Sequence, residues 1–385
     1  MTARDTGIDA AERVLIELVS TPSVSGNERA AAEVFVRHAK ALGFETEIDA
    51  VGNAHAHRGL AGAPVHIVML GHIDTVPGEI PVRVEDGVLH GRGSVDAKGP
   101  LAAMLLGAAR ADLPETVRVT VVGAVGEETP DSVGARHLID RYRPDACFIG
   151  EPSGADGVTL GYKGRLVVSA TSERENTHSA GPDNSACDDL FAWWSGVLAY
   201  VEASAEARTR TFDRIQASVR SASSREDGLS QRASMEAGFR LPPGVDPYEL
   251  AARLTAMAPE PVLLDWTGHE SAAVSDRNDP VARALSAGIR SGGARPRPKL
   301  KTGTADFNVV DPHWRCPIAA YGPGDSSLDH TPHERLALDE YHRAIGVLTH
   351  ALGMLGAELA DGAGGASAVG SGVDSETEAG SRGDS

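Results

Sequence analysis

The sequence His72-Ile73-Asp74 comes one glycine after the apolar run Val65 to Leu70, the acidic pair Glu127-Glu128 one glycine after Val117 to Val125, and Glu151 one glycine after Ala146 to Ile149. Asp96 stands in Gly91-Arg92-Gly93-Ser94-Val95-Asp96-Ala97-Lys98-Gly99, just ahead of a helical stretch. Imidazole nitrogen and carboxylate oxygen are ligands that zinc accepts in catalytic sites, where one position stays open for water. Several carboxylates make two ions feasible: in two-metal hydrolases the ions lie roughly 3.5–4 Å apart, share a bridging carboxylate and acidify the attacking water. One member of the Glu127-Glu128 pair would then be a ligand and the other the general base.

Each piece alone has a plainer reading. A single His-x-Asp is usually a satisfied histidine near a turn, adjacent glutamates are usually a solvated face, and Glu151 or Asp96 alone would serve as a helix cap. Their coincidence at four strand-end positions points to a metal site, because ligands of open α/β sheets gather beyond the carboxyl ends of the strands.

The elements that must position these residues follow from the apolar spacing. Residues 9–20 and 27–42 read as helices, 65–70 as a buried strand, 101–109 as a helix and 117–125 as a β-branched strand, which together suggest a β-α-β unit. A polar helix at 132–142 and a strand at 146–149 complete an α/β first part, 1–161. From there the pattern becomes that of an inserted α+β domain over 162–268, with strands at 165–172, 211–219 and 232–241 and helices at 187–203 and 247–257. Core-like patterning resumes over 269–360, with a helix at 279–290, an apolar segment at 317–321 and a final helix at about 334–358. The tail 361–385, rich in Gly, Ala, Ser, Asp and Glu, is expected to be disordered.

Composition narrows the class. Apolar residues make up 41% and charged residues 23% of the 385-residue chain, enough to build a globular core. A formal charge of −18 argues against nucleic acid as a partner. No apolar run approaches the roughly 18 residues of a membrane span, and the acidic N-terminus lacks the apolar stretch of a signal peptide. Three scattered cysteines, Cys147, Cys187 and Cys316, form no CxxC pair and fit a reducing cytoplasm.

Taken together, His72-x-Asp74, Gly93-x-x-Asp96-x-Lys98-Gly99, Glu127-Glu128, Gly150-Glu151-Pro152 and the late His330 resemble the zinc metallopeptidases of the aminoacylase, acetylornithine deacetylase and succinyl-diaminopimelate desuccinylase group. The resemblance covers nearly all of 9–358. It implies a mixed-sheet α/β core carrying an inserted α+β lid, which serves for dimerisation, and two zinc ions, replaceable by cobalt. In that scheme His72, Asp96 and Glu151 hold one ion while Asp96, Glu128 and His330 hold the other, with Asp96 as the bridge. Asp74 orients the His72 imidazole, and Glu127 moves the proton from water to the leaving amine. A cis peptide after Asp96 is also implied. His330 is preferred to nearby His333 by the resemblance alone.

The same resemblance gives roles to four further residues. His178, in Asn176-Thr177-His178-Ser179, is similar to a lid histidine that steadies the tetrahedral intermediate from a neighbouring subunit, which requires a homodimer. Arg240 is similar to a lid arginine that grips a substrate carboxylate, and Gly303 and Thr304 to a substrate-side Gly-Thr-x-Asp segment.

Among the branches of the group, the direct passage from Gly71–Gly78 to Gly91–Leu101 and the sequence Gly161-Tyr162-Lys163-Gly164 look like the amino-group carrier protein-lysine or -ornithine hydrolases. These release an amino acid from an isopeptide bond to the terminal glutamate of a small acidic carrier protein. The cationic stretch 290–301, with Arg295, Arg297, Lys299 and Lys301, would then steer that carrier to the site; its alternative is a solvated loop. Hydrolysis of free N-acyl amino acids or dipeptides, or carrier binding without catalysis, are the competing expectations.

Overall fold

The computed structural model describes residues 9–178, 181–205 and 209–369, with side chains as far as residue 363. Its main element is a nine-stranded mixed sheet. The strands run in the order Glu45–Ile48, Ala54–Arg58, Val117–Ala124, Val65–His72, Ala146–Gly150, Ile318–Ala320, Gly157–Tyr162 and Ala273–Val274, and Arg297–Lys301 pairs with Gly157–Tyr162. The expected β-α-β unit is present: Val65–His72 and Val117–Ala124 are parallel neighbours, joined through the helix Lys98–Arg110.

Register places the chemistry. His72 lies opposite Ala124 and Gly71 opposite Gly150, so three parallel strands end at one level and release their polar loops at the same edge. Leu101 to Ala108 are all buried because this helix is enclosed by the sheet on one side and by the helix beginning at Leu338 on the other. Glycine at the strand ends allows the close approach: a Cβ on Gly150 would sit 2.3 Å from Met104 Cε, and one on Gly71 2.9 Å from the same atom. Hence glycine precedes both His72 and Glu151.

A separate four-stranded antiparallel sheet, in the order Gln216–Glu226, Ser230–Leu241, Gly164–Glu175 and Val262–Glu270, carries the helices Ala186–Ala203 and Pro247–Thr255. Leu190, Trp193, Val197, Leu250 and Leu254 from these helices form a core of their own with Leu166, Val168 and Phe239. This is the inserted α+β unit of the expected fold class. The strand expected at 211–219 starts later, at Gln216, since Thr211–Asp213 forms a 3-10 turn.

A small sheet of Arg83–Glu85, Val88–His90 and Arg335–Ala337 ties the segment after His330 to the loop ahead of Asp96. The last helix runs from Leu338 to Val369, past the end expected near Glu358, and residues 370–385 of the expected tail lie outside the described residues. Among the described residues no helix is long and apolar enough to cross a membrane.

Candidate active site

His72, the last residue of its strand, aims Nε2 at Asp96 Oδ1 (3.1 Å) and lies 3.9 Å from Glu151 Oε1. Its Nδ1 is 3.0 Å from the carbonyl oxygen of Asp74 and 3.4 Å from the Asp74 carboxylate, so the ring is oriented by main chain and side chain of one residue. On the far side of Asp96, His330 Nε2 is 3.0 Å from Asp96 Oδ2 and 3.0 Å from Glu128 Oε1. The two oxygens of Asp96 therefore face two different histidines. Both histidines in Asp329-His330-Thr331-Pro332-His333 are exposed, but it is His330, at a positive φ of 60°, that reaches the carboxylates.

Three overlapping groups have one donor atom per residue within 4.8 Å of one another: His72, Asp96 and Glu151; Asp96, Glu128 and His330; and His72, Glu127 and Glu128. The Asp96–Ala97 peptide is cis. The loop before it is fixed by Glu334, whose Oε1 accepts the backbone N–H of Val95 (2.9 Å) and Asp96 (3.1 Å) while Oε2 accepts from Arg92 (2.7 Å). Sequence reading overlooked Glu334; its only signal was its place four residues after His330.

The electrostatics follow from burial. Glu127 is driven well above the carboxylate range by loss of solvent and by the neighbouring charges of Glu151, Asp306 and Glu128. Glu151 is pushed up to about 7, again by burial and then by Asp96. Burial opposes protonation of His72, but its hydrogen bonds to Asp74 and Asp96 outweigh this and hold its pKa well above the usual value. His330 rises to about 10 through its hydrogen bonds to Asp96 and Glu128. Asp96, despite burial, is held below the normal range by the same two histidines. So many carboxylates cannot all ionise in one dry site without cations among them, and their oxygens and imidazoles are the donors that divalent metal ions take.

Asp96, Glu127, Glu128, Glu151 and His330 line a cavity of about 250 Å³, together with Tyr162, Arg240, Lys301, Gly303, Thr304 and Asp329. Arg240 reaches it from the strand Ser230–Leu241 and donates to Thr304 Oγ1 (2.7 Å), which donates in turn to the carbonyl of Lys163 (2.9 Å). Burial, and then Arg165 and Arg220, lower the Arg240 pKa, so an anion entering the cavity would meet a desolvated cation. Tyr162, Asp306 and Asp329 carry buried oxygens with no hydrogen-bond partner among the described residues, and Asp306 is the last residue of the Gly-Thr-x-Asp segment Gly303-Thr304-Ala305-Asp306.

Other expected residues lie elsewhere. His178 is exposed and does not line the cavity of its own chain. The cationic stretch is a loop only in part: residues 292–296 are irregular, whereas Arg297–Lys301 is an edge strand, parallel to Gly157–Tyr162. Arg295 and Arg297 are exposed, Lys299 donates to the Ser153 carbonyl (2.5 Å), and Lys301 stands over the Tyr162 ring at 5.8 Å from its centroid.

Comparison with known proteins defines the class. The pattern of Peptidase family M20/M25/M40 matches residues 68–353, and the chain belongs to this family. In sequence it is 47% identical over 352 residues, 89% of this chain and 96% of the other, to the [LysW]-lysine hydrolase of Deinococcus radiodurans. In fold it is similar to the M20 family metallo-carboxypeptidase Sso-CP2 from Sulfolobus solfataricus, with a TM-score of 0.74 at 19% identity over 91% of this chain and 100% of that one. It is also similar to the Bacillus subtilis YXEP protein, described as a dinuclear metal-binding peptidase of the M20 family, with a TM-score of 0.67 at 13% identity over 90% and 97% of the two chains.

Proposed function

We propose that this chain is a two-metal amide hydrolase that releases lysine, or a related diamino acid such as ornithine, from the terminal glutamate of a small acidic amino-group carrier protein. The observation that carries the chemistry is the Asp96 carboxylate reaching His72 with one oxygen and His330 with the other. The linkage is suggested by the name of the Deinococcus relative, which is similar over nearly its whole length.

In this reading His72, Asp96 and Glu151 hold one ion and Asp96, Glu128 and His330 the other. Zinc is the preferred metal, with cobalt as a substitute, because such donors discriminate little among borderline cations. When bound, the pair polarises the scissile carbonyl and acidifies the attacking water. Glu127, in contact range of His72 and Glu128, takes the proton of that water and delivers it to the departing α-amine. Arg240, steadied by Thr304 beside Gly303, pairs with the carboxylate of the amino acid to be released. His178 serves the cavity of a partner subunit in a homodimer and stabilises the developing oxyanion there. The exposed Arg295 and Arg297, with Lys299 and Lys301 leading to the cavity, form a rim that attracts the acidic carrier. The three cysteines are free thiols, which suits a reducing cytoplasm.

The test is release of free amine from carrier-linked lysine, carrier-linked ornithine, acetyl-lysine, acetylornithine and dipeptides, compared by kcat/KM. Preference for a carrier-linked substrate is expected, and charge reversal at Arg295 and Arg297 should reduce that turnover more than turnover of a free N-acyl amino acid. Equal or better hydrolysis of the free compounds overturns the carrier assignment.

A further inference from the structure

At the outer edge of the large sheet, two strands away from the one bearing His72, the hairpin of Glu45–Ile48 and Ala54–Arg58 gathers a second set of imidazoles and carboxylates. We propose that Glu47, His55 and His57, completed by Asp49, form a separate site for a divalent ion of the zinc type, distinct from the catalytic centre.

The strand geometry brings the donors together. His55 and His57 are two residues apart on one strand and so point to the same face. Glu47 is the direct cross-strand partner of His55. One donor atom from each of Glu47, His55 and His57 lies within 4.8 Å of the others. His57 Nε2 is 3.2 Å from Glu47 Oε1, and His55 Nε2 is 3.0 Å from Asp49 Oδ2. Donors around a tetrahedral zinc with bonds of about 2.0–2.1 Å lie about 3.3 Å apart, so Glu47, His55 and His57 need only draw together to share one ion, while Asp49, which now meets His55, must turn toward the other two to join them.

The other ring nitrogens are held as metal-binding histidines usually are. His55 Nδ1 meets the Tyr142 hydroxyl at 2.9 Å, and His57 Nδ1 meets Thr120 Oγ1 at 3.0 Å. Such partners fix the ring and turn the free Nε2 toward the ion. Asp49 is equally fixed, because its Oδ1 accepts the N–H groups of Val51, Gly52 and Asn53. His55 is fully buried, while Glu47 keeps 44% of its side chain exposed and gives an ion a way in.

One cation already stands here. Arg141 pairs with Glu47 and lies 4.0 Å from Asp49 Oδ2, with 30% of its side chain exposed. An entering ion must displace this guanidinium, so Arg141 competes with the metal and sets its affinity. The site has a structural consequence as well. From the same hairpin turn, Asn53 accepts the N–H of Val125 (3.0 Å) and donates to the Gly134 carbonyl (3.2 Å). An ion bound to the hairpin therefore braces the segment that leads into Glu127 and Glu128.

The experiment is equilibrium dialysis of the full chain against zinc alone, with metal counted by elemental analysis in wild type, Glu47→Gln and Arg141→Ala. Wild type is expected to hold one ion more than Glu47→Gln, whatever number the catalytic centre holds. Arg141→Ala should bind that extra ion about tenfold more tightly, since a competing charge is gone. Equal metal content in wild type and Glu47→Gln, or an Arg141→Ala protein with unchanged zinc affinity, overturns the proposal. Glu47 is on the exposed edge, so its substitution tests binding without emptying the core.

Discussion

The carboxylate of Asp74 holds the main chain of Glu127: its Oδ1 accepts the Glu127 N–H at 3.1 Å, and its Oδ2 accepts that of Glu128 at the same distance. Ser25 donates to the same Oδ2 at 2.7 Å. Asp74 thus joins the His72 ring to the turn carrying the glutamate pair, a wider task than orienting one imidazole. Asp74→Ala is expected to weaken metal binding by about 10–100-fold, the usual effect of removing a group that orients a ligand. Because the glutamate turn also loses its anchor, kcat should fall even at saturating metal. Metal titration and steady-state kinetics on one preparation check this; normal kcat in the metal-saturated variant counts against a role in placing Glu127.

Glu127→Gln removes the proton acceptor while keeping size and main-chain contacts. Turnover is expected to drop by about 10²–10⁴, the range for loss of a positioned general base. Metal content should stay at the wild-type value, because the groups containing Asp96 with Glu151 or with Glu128 do not need Glu127. Near-normal turnover would reassign the base.

The parts legible in the sequence are those where burial dictates residue type. Val65–Leu70, Val117–Val125 and Ala146–Ile149 are apolar runs, interrupted only by His66, Arg118 and Thr120, because both faces of these strands are covered, and their polar successors then mark the site. Edge elements leave no such trace. Glu45–Ile48, at the edge, and its neighbour Ala54–Arg58 are short and carry Glu, Thr, His and Arg in place of large apolar residues, and Arg297–Lys301 is cationic and contains Pro298, so none shows the apolar signal of a strand. The choice between His330 and His333 depends on a loop conformation with positive φ, which spacing does not encode. Glu334 escaped notice because its partners, Val95 and Asp96, are more than 230 residues away in the chain.

Glu334 is the residue whose loss should be felt in both stability and metal binding. Its side chain is fully buried and pairs with Arg92, itself only 13% exposed. Glu334→Ala leaves two backbone N–H groups without an acceptor and a largely buried cation with only the Gly78 carbonyl, a change that costs about 3–5 kcal/mol. A clear fall in Tm is expected, together with weaker metal binding because the Asp96 loop loses its support. Glu334→Gln, which keeps one acceptor oxygen, should be milder in both. Thermal unfolding with and without zinc separates the two effects.

Arg240→Ala is expected to raise KM for carrier-linked lysine and lower kcat/KM by about 10–100-fold, as loss of a hydrogen-bonded charge contact costs about 1.5–3 kcal/mol. Arg240→Lys should not restore the wild-type value, because a point-like ammonium cannot bond Thr304 and a substrate carboxylate with one planar fork. An unchanged KM in Arg240→Ala would remove this residue from substrate binding.

Acid sensitivity should come in part from His66, which lies away from the catalytic cavity. Burial, and then the charges of Arg118 and His57, lower its pKa to about 4 from the ordinary 6.5, and its Nε2 is 2.8 Å from Thr120 Oγ1. The folded protein therefore favours the neutral ring more than the unfolded chain does. The resulting stability is fully present above the unfolded value of 6.5 and is lost as pH falls through about 4. With allowance for partial solvent access, the loss amounts to roughly 2 kcal/mol. His66→Gln removes the titrating group, so denaturant unfolding at about pH 7.5 and about pH 4.5 should show a smaller acid loss in the variant than in wild type. Identical pH dependence of the two proteins would show that His66 is not forced to take up a proton on unfolding in acid.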